Sequence, residues 1–64
     1  MNKLFKVRVF TGLVSVSHLI ETVNARNERE AIRAACVKAK KNLFHRGFVP
    51  PYTVAIEAKV IGGN

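Results

Sequence analysis

Four glutamates, two histidines and one cysteine are the side chains of this 64-residue sequence that could serve as acid, base, nucleophile or metal ligand. Their spacing argues against all of these uses. Glu28 and Glu30 stand two apart in a stretch that reads as helix, so their side chains diverge by about 200° and cannot share a reacting group. Glu30 also sits where a helix cap would use it, and Glu21 and Glu57 fall on separate elements. His18, Cys36 and His45 lie on three different elements with no ligand spacing between them. Cys36 belongs to an apolar stripe and reads as core, and His18 reads as an inward rim histidine opposite Phe5. There is no Ser/His/acid pattern, no glycine-rich phosphate loop and no His-Glu-x-x-His. The expectation is a protein without catalytic residues, metal ligands, cofactor or small-molecule substrate, and hence not an enzyme.

The chemistry that remains is electrostatic. Eleven Lys and Arg against four Glu and no Asp give a net charge of +7 and a pI near 10.4. Such a chain is drawn to polyanions or to acidic protein surfaces. The cations are not evenly spread. At 100° per residue, Arg29, Arg33 and Lys40 fall within about 40° of one another on a helix, with Arg26 just before it. Lys38 and Lys41 continue around the exposed side, and Arg46 extends the field past the helix end. Between residues 31 and 46 there are five cations and no acid, more lopsided than solubility requires. Arg26, Arg29, Arg33, Lys38, Lys40, Lys41 and Arg46 are therefore the candidate contacts to nucleic-acid phosphates or to an acidic partner. Phosphate contacts position a protein without reading sequence, so no specificity follows.

The elements that position these residues are legible from periodicity. Residues 3–11 alternate, with Phe5, Val7 and Val9 on one face and Leu4, Lys6, Arg8 and Phe10 on the other. Residues 13–20 alternate again, with Val14, Val16, His18 and Ile20 sharing a face. Thr11-Gly12 between them suits a two-residue hairpin turn, which would pair Phe10 with Leu13, Val9 with Val14, Val7 with Val16 and Phe5 with His18. Val23 and Ala25 also look inward but are out of phase with this set; a bulge, or a strand end, would account for them. Asn27 with Glu30 has the spacing of a capping box. Ile32, Ala35, Cys36, Ala39 and Leu43 form one stripe, and Gly47 suits the position just past a helix end, with Pro50 and Pro51 forbidding continuation. Residues 52–61 resume alternation, with Tyr52, Val54, Ile56, Ala58 and Val60 inward, before a Gly62-Gly63-Asn64 tail. The expectation is a single α+β domain over 1–64, ordered β-β-α-β. A right-handed crossover then gives a three-stranded antiparallel or mixed sheet of order 2-1-3, with one helix on one face.

That arrangement leaves the second sheet face uncovered. It would carry Leu4, Lys6, Arg8 and Phe10, then Leu13, Ser15, Ser17 and Leu19, then Thr53, Ala55, Glu57, Lys59 and Ile61. So many apolar residues on an open face imply a cover: a second copy forming a homodimer, a protein partner, or stacked bases. Lys6, Arg8, Phe10 and Leu13 are the candidate residues of this secondary interface, since an aromatic beside cations is the make-up of a single-strand platform. The aromatic-rich run FHRGFVPPY, residues 44–52, has a structural use: Phe44 and Phe48 close the end of the core, Gly47 caps, and the prolines set the entry angle of the last strand.

A hydrophobic fraction of 48% and a mean hydropathy of +0.09 fit a globular chain. Lys3, Lys6 and Arg8 interrupt the apolar residues at the N-terminus, and no apolar run nears the ~18 residues that span a bilayer. The lone Cys36 cannot form an internal disulfide, as suits a reducing cytoplasm. The run ETVNARNEREAIRAA, residues 21–35, carries Val23-x-Ala25, a polar cap, then Glu30-Ala31 and Ala35. It resembles the corresponding segment of small phage-encoded inhibitors of bacterial RNA polymerase, and is similar to segments of some anti-CRISPR proteins and of an archaeal ribosomal protein family. The resemblance implies a compact accessory protein of phages or mobile elements, acting in the host cytoplasm by occupying a macromolecular surface. The polymerase inhibitors are acidic and this chain is basic, so no binding residue is carried over. The expected function is non-enzymatic binding of nucleic acid or of a nucleic-acid-handling complex through the basic helix surface. The alternative is inhibition of a host enzyme through the open sheet face.

Overall fold

The computed structural model describes residues 2–63 and contains four elements: β1 (Lys3–Phe10), β2 (His18–Ala25), α1 (Glu28–His45) and β3 (Val54–Gly63). The sheet order is β2-β1-β3 with both pairs antiparallel, so the chain has the β-β-α-β α+β topology that its periodicity implies. The alternation of β1 places Phe5, Val7 and Val9 beneath the helix, at most 4% exposed, while Lys6 and Arg8 point to the opposite side. β1 is the central strand, and this is why its inward face is the most completely covered.

β2 departs from the expected register. It begins at His18, not Leu13, and pairs Phe10 with His18, Val9 with Leu19, Val7 with Glu21 and Phe5 with Val23. Residues 11–17 form a loop, in which Val14 is fully exposed. Leu13, Ser15 and Ser17 therefore lie off the sheet face, and His18 faces Phe10, not Phe5. The reason lies in Val23 and Ala25, which are both buried. Their phase, shared with Leu19 and Glu21, sets the inward side of the strand, and no bulge is needed. The wider loop is closed by Thr11, which has no solvent exposure. Its N–H donates to the Ser17 carbonyl at 2.9 Å, its hydroxyl donates to the Val16 carbonyl, and the same oxygen accepts from the Leu13 N–H at 3.1 Å. Three local bonds replace the two-residue turn.

The helix begins where its cap predicts. The Asn27 side chain accepts from the Glu30 N–H at 3.0 Å, satisfying one of the free donors of the first turn. The reciprocal half of the box is missing, because the Glu30 carboxylate turns to Arg26 instead. At the other end, the Gly47 N–H reaches the Phe44 carbonyl and the Phe48 N–H reaches the Leu43 carbonyl. This paired arrangement needs a left-handed residue, supplied by Gly47 at φ +88°. Ala31, Ala35, Ala39 and Leu43 form the buried ridge, all with no exposure. Ile32 and Cys36 stand half-buried at its side. Phe44 does not close the core: it is 70% exposed, and Leu43 occupies that position.

β3 is longer than expected, taking in Gly62 and Gly63; Asn64 lies outside the described residues. Two irregularities break its pairing with β1, between Leu4 and Phe5 and between Arg8 and Val9. They leave Ile61 and Ile56 as extra residues. Val9 thus meets Ala55, Val7 meets Ala58 and Phe5 meets Val60, while Val54 pairs with Phe10 on the outer face. Ala58 and Val60 keep the inward phase expected of them. Val54 and Ile56 lose it to Ala55, which packs against the core. Tyr52 precedes the strand and is 47% exposed.

Besides Thr11, one charged residue lies inside among the described residues. Glu21 is 5% exposed, on the inward side of β2. The Asn42 side-chain amide donates to it at 3.2 Å. Lys38 Nζ lies 4.0 Å from its other oxygen and donates to the Thr22 carbonyl at 2.9 Å. The carboxylate thereby ties the second half of α1 to β2. Replacing Asn42 with Ala leaves it without a direct donor and should cost about 1–3 kcal/mol in chemical denaturation. Ala35→Leu should cost about as much by a different route, overpacking the fully buried alanine ridge.

Candidate functional site

The cations of the helix divide into two groups once their surroundings are known. Arg26 and Lys38 are engaged within the fold. Arg26 donates to Glu30 through Nε at 3.4 Å and through its guanidinium end at 2.8 Å, and Lys38 serves Glu21 and Thr22. Arg29, Arg33, Lys40, Lys41 and Arg46 are exposed, and among the described residues none of them forms an ion pair or a side-chain hydrogen bond. From Arg29 to Arg46 the helix rises about 25 Å, at 1.5 Å per residue. Arg29, Arg33, Lys40 and Lys41 form a long, positive ridge on the outward side, and Arg46 stands past the helix end, so the five are not a single cluster. The Arg26 hydrogen bond holds the Glu30 carboxyl below its ordinary value, and the charge of Arg33 adds a smaller push in the same direction.

Two apolar residues interrupt the ridge. Val37 is 51% and Phe44 70% exposed. With Lys40, Lys41 and His45 they line a shallow open groove on the outward side of α1. They lie seven residues apart, two helical turns, so both point away from the alanine ridge. Assigning Phe44 to the core hides this feature in a sequence reading, although its offset from Val37 carries the signal.

The second surface is the sheet face away from the helix. Lys6, Arg8 and Phe10 share it, as expected, but their neighbours differ from the expected set. Across β2 they are Thr22, Ile20 and His18; across β3 they are Lys59, Glu57 and Val54. Leu13 is in the loop, and Leu19 and Ala55 face the helix side. Lys6, Arg8, Ile20, Glu57 and Lys59 surround a depression of about 140 Å³. Beside it stands an aromatic group. The Phe10 ring meets the His18 ring edge-on, with centroids 5.0 Å apart, and the Tyr52 ring lies 6.2 Å away on the other side. Gly12 makes room for Tyr52: its φ is +76°, and a Cβ there would lie 2.7 Å from the tyrosine ring. Tyr52 and His18 join this surface only through the actual register and the loop over 11–17, which alternation alone does not reveal.

Among the described residues there is no group of three or more His, Cys, Asp or Glu able to hold a metal ion. Cys36 is half-buried against the core, and His45 is on the helix whereas His18 is on the open sheet face opposite Phe10. No described helix is long and apolar enough to cross a membrane.

Because Arg26 lowers the Glu30 carboxyl in the folded chain, the pair adds stability above the ordinary carboxylate range and loses it as pH falls through the lowered value. Both groups are at the surface, so the effect is small and screened by salt. In an NMR titration, Arg26→Ala should move the Glu30 midpoint upward; an unmoved midpoint would mean that the pair is not formed in solution.

No protein-family model matches the chain, and no curated protein or solved structure matches it significantly.

Proposed function

We propose that this is a non-enzymatic nucleic-acid-binding protein that engages the phosphate backbone through the outer ridge of α1. The observation that carries this reading is the set of five exposed cations, Arg29, Arg33, Lys40, Lys41 and Arg46, left without acidic partners while Arg26 and Lys38 are engaged within the fold. Arg29, Arg33 and Lys40 lie within about 40° of one another along the helix, with Lys41 beside them and Arg46 past the helix end, and such unpaired charge is suited to a polyanion. The likeness of residues 21–35 to phage-encoded accessory proteins suggests the host cytoplasm as the place of action. A second reading, an acidic protein surface docked on the same ridge, is favoured by Val37 and Phe44. An apolar centre with a charged rim is how protein interfaces are commonly built.

Fluorescence anisotropy with labelled duplex DNA over a series of salt concentrations tests the first reading. Affinity should fall steeply with salt. The double reversal Arg33→Glu with Lys40→Glu should flatten the slope of log K against log salt by about two, one for each cation reversed. Arg26→Glu should act less, since Glu30 already accompanies that charge. No binding at low salt, or a slope indifferent to the double reversal, would overturn the proposal. Phe44→Ala separates the two readings: it should leave DNA affinity nearly unchanged but remove the anchor of a protein partner.

A further inference from the structure

We infer that the open sheet face is a second site, which takes the bases of single-stranded nucleic acid on Phe10, His18 and Tyr52 and its backbone on Lys6, Arg8 and Lys59. The inference deepens the proposed nucleic-acid binding, on which it rests, by naming the form of nucleic acid and a surface the helix does not supply.

Three observations carry it. The first is the ring group itself. Phe10 lies on the central strand with His18 at 5.0 Å on one side and Tyr52 at 6.2 Å on the other. The three rings thus form a band across the end of the sheet. His18 and Tyr52 are exposed, and no described element lies over this face. Aromatic side chains on an open sheet stack bases that have left a helix; bases inside a duplex are already stacked and offer no free face. The second is the placement of charge. On β1, Arg8 and Lys6 follow Phe10 at steps of two residues, about 6.6 Å each, and Lys59 stands opposite Lys6. Backbone charges leaving the stacked bases would run along these cations. The third observation decides between occupants. A second copy docked on this face through a two-fold axis would bring Lys6, Arg8 and Lys59 against the same set, with only Glu57 on each side to offset them. Like charges of that kind oppose a homodimer and favour a polyanion.

Tyr52 is the only tyrosine and the chain has no tryptophan, so the intrinsic emission of the unmodified protein reports on this site alone. The experiment titrates the protein with a short oligo-deoxythymidylate and, separately, with a short duplex, following Tyr52 emission and, with labelled strands, anisotropy. Saturable quenching by the single strand, retained when Arg33→Glu and Lys40→Glu weaken duplex binding, is the expected result. Tyr52→Phe should preserve single-strand affinity, whereas Tyr52→Ala should lower it at least about five-fold. His18→Ala and Lys59→Glu, both at exposed positions, should lower it as well and guard against a Tyr52→Ala variant that fails to fold. Glu57→Gln should tighten it. Single-strand binding by anisotropy with no change in Tyr52 emission would overturn the sheet site while leaving the helix reading in place. Absence of binding to either probe would overturn both. A free protein that scatters light as a dimer, with Tyr52 shielded from a soluble quencher, would overturn the inference in favour of a second copy.

Discussion

The close approach of α1 to the sheet is the constraint on which the other features depend. It is set by Ala31, Ala35 and Ala39, none of which retains any exposure. Small side chains at every fourth position bring the two backbones near each other, and the space between them is filled from the sheet side by Phe5, Val7, Val9 and Val23. One helix at that distance cannot cover three strands. It lies mainly over β2, and Val60, on the inward side of β3, is left half-exposed. Of the larger helix residues only Leu43 is fully buried and Ile32 partly so; Val37, Phe44 and the long cations are left on the outward side. The surfaces offered to partners follow from the narrowness of the layer beneath them.

Within that layer the buried Glu21 has a further effect on charge. A carboxylate beneath the helix costs desolvation unless it is bonded, and the fold answers with Asn42 and Lys38. One cation of the helix is thereby committed to holding the fold, as Arg26 is committed to Glu30. The positive ridge that remains is made of the cations left over once Glu21 and Glu30 are each matched with a particular one.

The order of elements, the helix limits and the inward face of β1 were legible because each is repeated at several positions: alternation over eight residues, a cap three residues before Glu30, a glycine where left-handed backbone is needed. Register was not legible, for a physical reason. Both Val14-x-Val16 and Val23-x-Ala25 satisfy alternation, and the choice between them rests on which set the helix covers, a long-range matter. The bonds of Thr11 that hold the loop 11–17 leave no periodic trace either. In β3, an extra residue at Ile56 reverses which neighbours face inward, so a strict period of two reads Ala55 on the wrong side. The aromatic group is the product of both errors: Tyr52 and His18 are recognisable as surface partners of Phe10 only once register and bulge are known. The helix ridge, which depends on nothing beyond helical period and charge, was legible in its cations but not in Phe44.

The irregularities of β3 have one more consequence. Ten residues long and rich in Val, Ile and Ala, this strand is an edge whose outer row of peptide groups has no partner strand among the described residues. A straight, flat edge of that composition would invite strands of other molecules to add to it, the first step of a growing cross-chain ladder. The shifts near Ile56 and Ile61 interrupt the regular spacing of donors and acceptors and bend the edge. Glu57 and Lys59, between them, place charge beside it. The same two extra residues that complicate the register thereby guard a small basic protein against polymerising through its longest strand.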